Sequence, residues 1–177
     1  LNTWFWKKIE AFSASKADHL IAAEQVYPKQ LPFFKRVPFQ VIENKTVVTS
    51  HQKNISKKYD FIYSGTIAEE YGIFDAILFF QKAALIKSNL RCLIIGYSSN
   101  TNTLKQIKDQ INGLPFIEMI GGESMVDHQD IMEALAASEF AILPYQNLIC
   151  FEGKTPTKVF ECLSLKTPMI SQRGQSW

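Results

Sequence analysis

From Tyr59 onward, short apolar runs alternate with longer segments in which apolar residues recur at helical spacing. The apolar runs predict five strands, over residues 59–65, 90–96, 116–120, 139–145 and 168–171. The longer segments predict four helices, over residues 69–86, 102–111, 127–137 and 156–166. Strands that alternate with helices form right-handed βαβ units, so we predict a Rossmann-like parallel sheet with helices on both faces.

The first 57 residues are less regular. Apolar residues at positions 5, 9 and 12 predict a helix, residues 18–23 and 39–44 predict short strands, and the polar, lysine-rich residues 45–58 predict a linker. We interpret residues 1–57 as the end of one domain with its linker, and residues 58–177 as the sheet domain.

The N-terminal helix has two interpretations. Trp4, Trp6, Lys7 and Lys8 are residues that an interfacial membrane anchor would use. The stretch is short and only weakly basic, so we favour packing against a neighbouring domain. His19, beside an apolar run, is expected to be structural.

Composition excludes several classes of protein. Lysines are scattered and the net charge is +2, which indicates no nucleic-acid surface. The three cysteines, Cys92, Cys150 and Cys162, form no CxxC pair and fit a reducing, cytoplasmic setting without disulfides. No apolar run is long enough for a membrane span. Because the chain begins at Leu1 rather than Met, we expect it to be a piece of a longer protein.

Glycines follow the predicted strands at the edge where ligands bind in parallel sheets. Gly65, Gly96, Gly121 and Gly122 lie at carboxyl ends, where the missing side chain permits tight turns and close approach of a ligand.

A second feature is the turn over residues 152–161, which follows the fourth strand and opens a helix. We predict Thr155 as the N-cap and Pro156 as the first helical residue. Free N–H groups at the helix start, flanked by Lys154 and Lys158, suit a phosphate or diphosphate. Glu161, one turn later, is suited to accept hydrogen bonds from sugar hydroxyls. The alternative is an ordinary helix N-terminus with solvated lysines.

The segment 156–170 resembles the Pro-x-Lys-x-Phe-Glu signature of GT4-like glycosyltransferases through Pro156, Lys158, Phe160 and Glu161. The resemblance covers residues 17–171 and includes the segments 62–66, 93–96, 126–131 and 141–145. It implies the C-terminal, nucleotide-sugar-binding half of a retaining GT-B enzyme. Residues 1–57 would then be the tail of the acceptor domain, and residues 58–177 a donor domain truncated at its C-terminus.

The resemblance also implies functional residues. Glu161 would bind the ribose, residues 154–158 the diphosphate, and the backbone after residues 116–120 the base, with Glu152 and Glu161 as catalytic candidates. The residues that it places at the donor are Gly65, Thr66, Gly96, Ile120, Gly121, Gly153, Lys154, Thr155, Thr157, Lys158 and Glu161.

Two departures from the family pattern are visible. Many relatives carry a second glutamate at the position of Gly153, and Glu152 lies one residue early. Many also carry Arg and Lys where this chain has Thr66 and Tyr71. We expect Lys158 or Lys154 to supply the missing charge; otherwise nucleotide binding is weakened or lost.

The expected function is transfer of a sugar from a nucleotide-sugar donor to a polysaccharide or glycolipid acceptor, with this piece alone inactive. We expect no cofactor, no metal site, no nucleic-acid partner, and at most peripheral membrane association. The alternatives are a GT-B nucleotide-sugar epimerase, a degenerate domain kept for packing, and a receiver-like signalling module, which lacks its acidic pocket here. A Walker loop and a GxGxxG motif are absent. His128 is expected to be structural or to cap its helix.

Overall fold

The computed structural model of the chain describes residues 3–46, 55–148 and 151–175, which form two compact units. The smaller unit contains the described residues 3–45 and 151–155, and the larger contains residues 46, 55–148 and 156–175. Most of the predicted linker, residues 47–54, lies outside the described residues, as does Cys150.

The smaller unit begins with the predicted helix, α1 (Thr3–Ala14). A two-stranded parallel sheet follows, with strands β1 (Leu20–Ala22) and β2 (Phe39–Val41) joined through helix α2 (Tyr27–Gln30) and a 3-10 turn (Pro32–Lys35). Of the apolar side chains of α1, only Ala14 is buried in the smaller unit, whereas Trp4, Phe5, Trp6, Ile9 and Phe12 are exposed.

The larger unit is the predicted parallel sheet with helices on both faces. Its five strands are β3 (Tyr59–Thr66), β4 (Cys92–Tyr97), β5 (Ile117–Gly122), β6 (Ser138–Leu143) and β7 (Met169–Ser171). Its helices are α3 (Ile73–Ala84), α4 (Thr101–Ile111), α5 (His128–Ala136) and α6 (Thr157–Leu165). The strand order is β5-β4-β3-β6-β7, and every pairing is parallel.

Two apolar cores sandwich this sheet. On one face, residues of α3 and α4 such as Phe80 and Ile107 pack on Ile94. On the other face, residues of α5 and α6 such as Leu135 and Cys162 pack on Ile62. Each face of the sheet therefore buries a helix layer, which explains why the central strands are almost continuously apolar.

The helix predicted over residues 69–86 is interrupted. A 3-10 turn, Glu69–Tyr71, precedes α3, and Gly72 between them has φ of +75°. A Cβ atom at Gly72 would overlap the backbone carbonyl of Pro144, so this close approach, rather than helix propensity, decides where α3 begins.

Three glycines lie side by side at the carboxyl edge of the sheet. Gly65 pairs with Gly96 and Gly96 with Gly121 across β3, β4 and β5. A Cβ atom at Gly96 would overlap the carbonyl oxygen of Gly65, and one at Gly121 would overlap that of Gly96. We call these three residues the glycine row; they leave the edge of the sheet without side chains.

We predict that Gly96→Ala lowers the free energy of unfolding by about 3 kcal/mol or more, because the new methyl group meets backbone that cannot move aside. Gly113→Ala is the matched control, since Gly113 also has positive φ, +78°, but nothing lies within 4 Å of its added Cβ atom. The control should lose about 1 kcal/mol from the left-handed backbone alone. Urea unfolding of the three proteins measures this, and equal losses would contradict the packing role.

Candidate functional site

The order of the strands places a crevice at the carboxyl end of β3. Strands β4 and β5 extend from one side of β3, and the chain then crosses to the other side to form β6 and β7. The loops after β3 and β6 therefore leave in different directions, which is the switch point where parallel sheets bind ligands. Gly65 and Thr66 end β3 at this point.

Helix α6 begins beside this crevice. Pro156, with φ of −59° and ψ of 140°, occupies the N-cap, and Thr157 is the first helical residue. Our assignment of Thr155 as N-cap is therefore wrong by one position, because the extended backbone of Pro156 already ends the turn. Val159 and Cys162 are buried and fix the helix on the sheet. Burial also raises the pKa of the Cys162 thiol to about 12, as expected for a small core residue.

The side chain of Lys158 lies over Gly65, at one end of the glycine row. A Cβ atom built at Gly65 would be 2.8 Å from Cε of Lys158 and 3.7 Å from its Nζ. The bare backbone of Gly65 thus makes room for the lysine stem and lets its ammonium group reach the end of β3. A larger residue at position 65 would displace it.

Lys158 pairs with Glu161 within the same helix. Nζ of Lys158 lies 2.7 Å from Oε2 of Glu161, and the two side chains are only 12% and 13% exposed. An i,i+3 ion pair on an exposed helix contributes little, but water screens this half-enclosed pair much less. The site therefore contains an ammonium group and a carboxylate whose charges compensate each other.

A third group reaches the same carboxylate from α5. Nε2 of His128 lies 3.4 Å from Oε1 of Glu161, and the His128 side chain is 69% exposed. His128 is the first residue of α5, and Asp127 is its N-cap, so the expectation that His128 caps the helix is wrong. Each oxygen of Glu161 thus has its own basic neighbour.

Two tyrosines border the crevice on the side of the loop after β6. The rings of Tyr71 and Tyr145 meet edge to face, with centroids 5.6 Å apart. Burial raises the pKa of Tyr145, and Tyr71 and the negative charge of Glu161 raise it further. Tyr145 is therefore close enough to the Lys158–Glu161 pair for the charge of Glu161 to affect its hydroxyl group.

Ser64 contributes a hydroxyl group directly before the glycine row. It is 8% exposed, and its Oγ has no hydrogen-bond partner among the residues that the structure describes. Ser64 follows Ile62 by two positions on β3, so it points to the face covered by α5 and α6.

The predicted donor residues fall into two groups. Gly65, Thr66, Gly96, Ile120 and Gly121 lie at the carboxyl edge of the larger unit, where α6 also places Thr157, Lys158 and Glu161. The turn residues Glu152, Gly153, Lys154 and Thr155 belong to the smaller unit.

Within the smaller unit, two of these turn residues have their own partners. Nζ of Lys154 lies 4.7 Å from the centroid of the Tyr27 ring, and the backbone N–H of Thr155 donates to Oε1 of Glu24 at 3.0 Å. Glu152 and Gly153 are exposed. Of the two lysines expected to supply charge, only Lys158 lies in the unit that holds the glycine row.

The sequence did not assign His128 or Tyr145 to the site. A histidine at a helix start was the available signal for His128, but its contact with Glu161 depends on how α5 packs beside α6. Tyr145 is the last residue of the strand predicted over residues 139–145, so its position at the strand end was visible, whereas its closeness to Glu161 was not.

Among the described residues, neither a metal cluster nor a membrane-spanning helix is present. Residues 3–46, 55–148 and 151–175 contain no cluster of three or more His, Cys, Asp or Glu side chains arranged to hold a metal ion. No helix in those same ranges has the length and apolar character needed to cross a bilayer.

The chain matches one family by sequence and several proteins by fold. The family model for glycosyl transferases group 1 matches residues 48–176. No curated protein matches the chain in sequence.

Solved structures share the fold at low identity. HepE from Anabaena, in complex with UDP and glucose, is 15% identical with a TM-score of 0.63, over 97% of this chain and 49% of HepE. The pneumococcal O-GlcNAc transferase GtfA, in complex with UDP and GlcNAc, is 13% identical with a TM-score of 0.66, over 96% of this chain and 33% of GtfA.

A third structure is that of an isolated C-terminal domain. This domain of LpcC, a group 1 family glycosyl transferase from Francisella tularensis, is 16% identical with a TM-score of 0.55, over 70% of this chain and 62% of that one. The chain therefore spans between a third and two thirds of these three structures.

We predict that the protein loses stability above about pH 9, and more steeply above about pH 10. Burial raises the pKa of the Cys92 and Cys162 thiols to about 12, so the folded protein keeps thiol protons that the unfolded chain releases above about pH 9. Burial also raises the pKa of Tyr63 and of Tyr145, so the folded protein keeps two further protons that the unfolded chain releases above about pH 10. Each tyrosine contributes a fall of up to about 1.4 kcal/mol per pH unit. Below the unfolded-state pKa this stabilisation is intact, and it is lost as the pH rises.

Urea unfolding at several pH values from neutral to alkaline measures this fall. Tyr145→Phe should make it shallower by about one such increment, and Tyr63→Phe should do the same. An unchanged pH dependence in both variants would contradict the assignment.

Proposed function

The chain belongs to the glycosyl transferases group 1 family, and from this premise we propose that it binds a nucleoside diphosphate sugar at the carboxyl edge of its sheet. The observation that carries the proposal is the Lys158–Glu161 pair, whose lysine lies over Gly65 at the switch point of the strands. The family match also favours a transferase over the epimerase and receiver alternatives.

Lys158 is suited to meet the diphosphate. Its ammonium group lies at the start of α6, where the free N–H groups and the helix dipole add partial positive charge. A diphosphate carries more negative charge than a carboxylate, so it competes with Glu161 for Lys158. Binding then exchanges one partner of the lysine for another instead of leaving a buried charge unpaired.

The same exchange frees one oxygen of Glu161. A carboxylate is an acceptor only, and its two oxygens suit the adjacent hydroxyls of a ribose. The residues of the glycine row carry no side chains of their own, so Lys158 lies close over Gly65 and Val126 close beside Gly121, and the backbone after Ile120 is proposed to meet the base. UDP is the first nucleotide to test, because HepE and GtfA are known in complex with it.

In the whole protein, this site would serve transfer to a polysaccharide or glycolipid acceptor. The bond between the anomeric carbon and the diphosphate oxygen breaks and its electron pair stays on the diphosphate, where Lys158 stabilises the charge that develops. A hydroxyl oxygen of the acceptor forms the new bond to the anomeric carbon, and the proton of that hydroxyl passes to the departing diphosphate. We infer that residues 1–57 belong to the acceptor domain and linker, that the enzyme is GT4-like and retaining, and that it acts in the cytoplasm, at most peripheral to a membrane.

We predict that the chain binds UDP weakly and without divalent metal, because positive charge from Lys158 and the α6 N-terminus takes the place of a cation. Calorimetric titration with UDP, GDP and ADP, with magnesium and with a chelator, measures this. Binding that strictly requires magnesium, or no binding at millimolar nucleotide, would count against the proposal.

We predict that substitutions of Lys158 and of Glu161 lower the affinity for nucleotides in different ways. Lys158→Ala should weaken UDP and UDP-glucose alike by about 1–3 kcal/mol, since both ligands share the diphosphate. The loss should be smaller at high salt, where screening has already weakened the contact. Glu161→Gln should cost less affinity than Glu161→Ala, and both losses should depend little on salt.

The control is Lys87→Ala, which removes an exposed lysine paired with Asp60 near the start of β3, at the other end of that strand from Gly65, and should leave affinity unchanged. The competing view is that the Lys158–Glu161 pair only stabilises α6. It predicts lower melting temperatures with no change in affinity for UDP, so measuring both quantities on the same proteins decides between the two views.

A further inference from the structure

His128 is the one histidine among the described residues of the larger unit, and it approaches the carboxylate that Lys158 holds. Nε2 of His128 lies 3.4 Å from Oε1 of Glu161, while Lys158 occupies Oε2 at 2.7 Å. The two basic groups come from different helices and take different oxygens. A rotation of the Glu161 carboxylate would break both contacts together.

The packing of α5 against α6 fixes this arrangement. Ile131, one turn after His128, is 8% exposed, and Cys162, next to Glu161, is fully buried in the same apolar core. His128 itself is 69% exposed, so its ring is held at one side and solvated on the other. The contact therefore depends on buried anchors rather than on the histidine's own burial.

A diphosphate that attracts Lys158 removes the partner of Oε2. Glu161, at 13% exposure, then has less water around it than a surface carboxylate, and Lys158 no longer holds its orientation. His128 is the remaining neighbour of Glu161 at Oε1, and the contact is a hydrogen bond when Nε2 carries hydrogen, because a carboxylate oxygen only accepts. When a nucleotide engages Lys158, the contact between His128 and Oε1 is the one left to hold the orientation of the Glu161 carboxylate.

We propose that His128 is a positioning residue that orients Glu161 toward the ribose while Lys158 is engaged by the diphosphate. This inference rests on the proposed function, because it takes Glu161 as the group that receives the ribose hydroxyls. His128 itself need not touch the nucleotide, and it acts through Glu161.

Calorimetry on the full chain with UDP and with 2′,3′-dideoxy-UDP tests the proposal. His128→Ala should weaken UDP by roughly three- to tenfold, the range of one hydrogen bond. It should change dideoxy-UDP by less than about twofold, because no ribose hydroxyls remain for Glu161 to receive. His128→Gln, whose amide N–H can reach Oε1, should restore most of the affinity for UDP.

Two further variants sharpen the result. In a Glu161→Ala background, His128→Ala should have no additional effect on UDP, since the group that it orients is gone. Gln129→Ala is the matched control: Gln129 is the next residue of α5 and donates to Glu133 at 2.9 Å, away from Glu161. It should leave the affinity for both nucleotides unchanged.

The outcomes distinguish the proposed donor site from the positioning role of His128. If Lys158→Ala weakens UDP but His128→Ala does not, the donor site stands and the positioning role is overturned. Equal losses for UDP and dideoxy-UDP would also overturn it, because His128 would then act on something other than ribose recognition. If neither Lys158→Ala nor Glu161→Ala changes UDP affinity, the proposed donor site fails and the role of His128 fails with it.

Discussion

The close approach of backbone at the carboxyl edge of the sheet is the constraint on which the site depends. Gly65, Gly96 and Gly121 stand in register on three neighbouring strands, and a side chain on Gly96 or Gly121 would overlap a carbonyl of the adjacent strand. The row has no side chains of its own, so the stem of Lys158 lies over Gly65 and a methyl group of Val126 lies beside Gly121. Side chains there would remove both the strand packing and the space for a ligand.

Helix α6 places the charged residues Lys158 and Glu161 at this edge of the sheet. Cys162 is buried beneath the helix, so the neighbouring Glu161 and the preceding turn with Lys158 face the crevice. The two charges satisfy each other while remaining only partly exposed. The charges of the proposed site are therefore compensated without a ligand, and the proposed binding of a diphosphate would rearrange charge pairs rather than create them.

One departure from the family pattern, Tyr71, takes part in an aromatic contact in the structure. Where many relatives carry a lysine, this chain has Tyr71, whose ring meets that of Tyr145. The edge of the larger unit thus combines one compensated lysine with aromatic side chains at its border. This edge carries less positive charge than the family pattern with Arg and Lys would give it, and we therefore expect it to bind a nucleotide weakly.

The sequence by itself determined the alternation of strands and helices, because apolar periodicity is a local property of the chain. It also identified the glycines at the strand ends and the segment from Pro156 to Glu161. Only the tertiary structure decided that α3 begins after Gly72, where Pro144 approaches. It likewise decided that Lys154 lies near Tyr27 and that His128 reaches Glu161. These features depend on contacts between residues far apart in sequence, which no local pattern encodes.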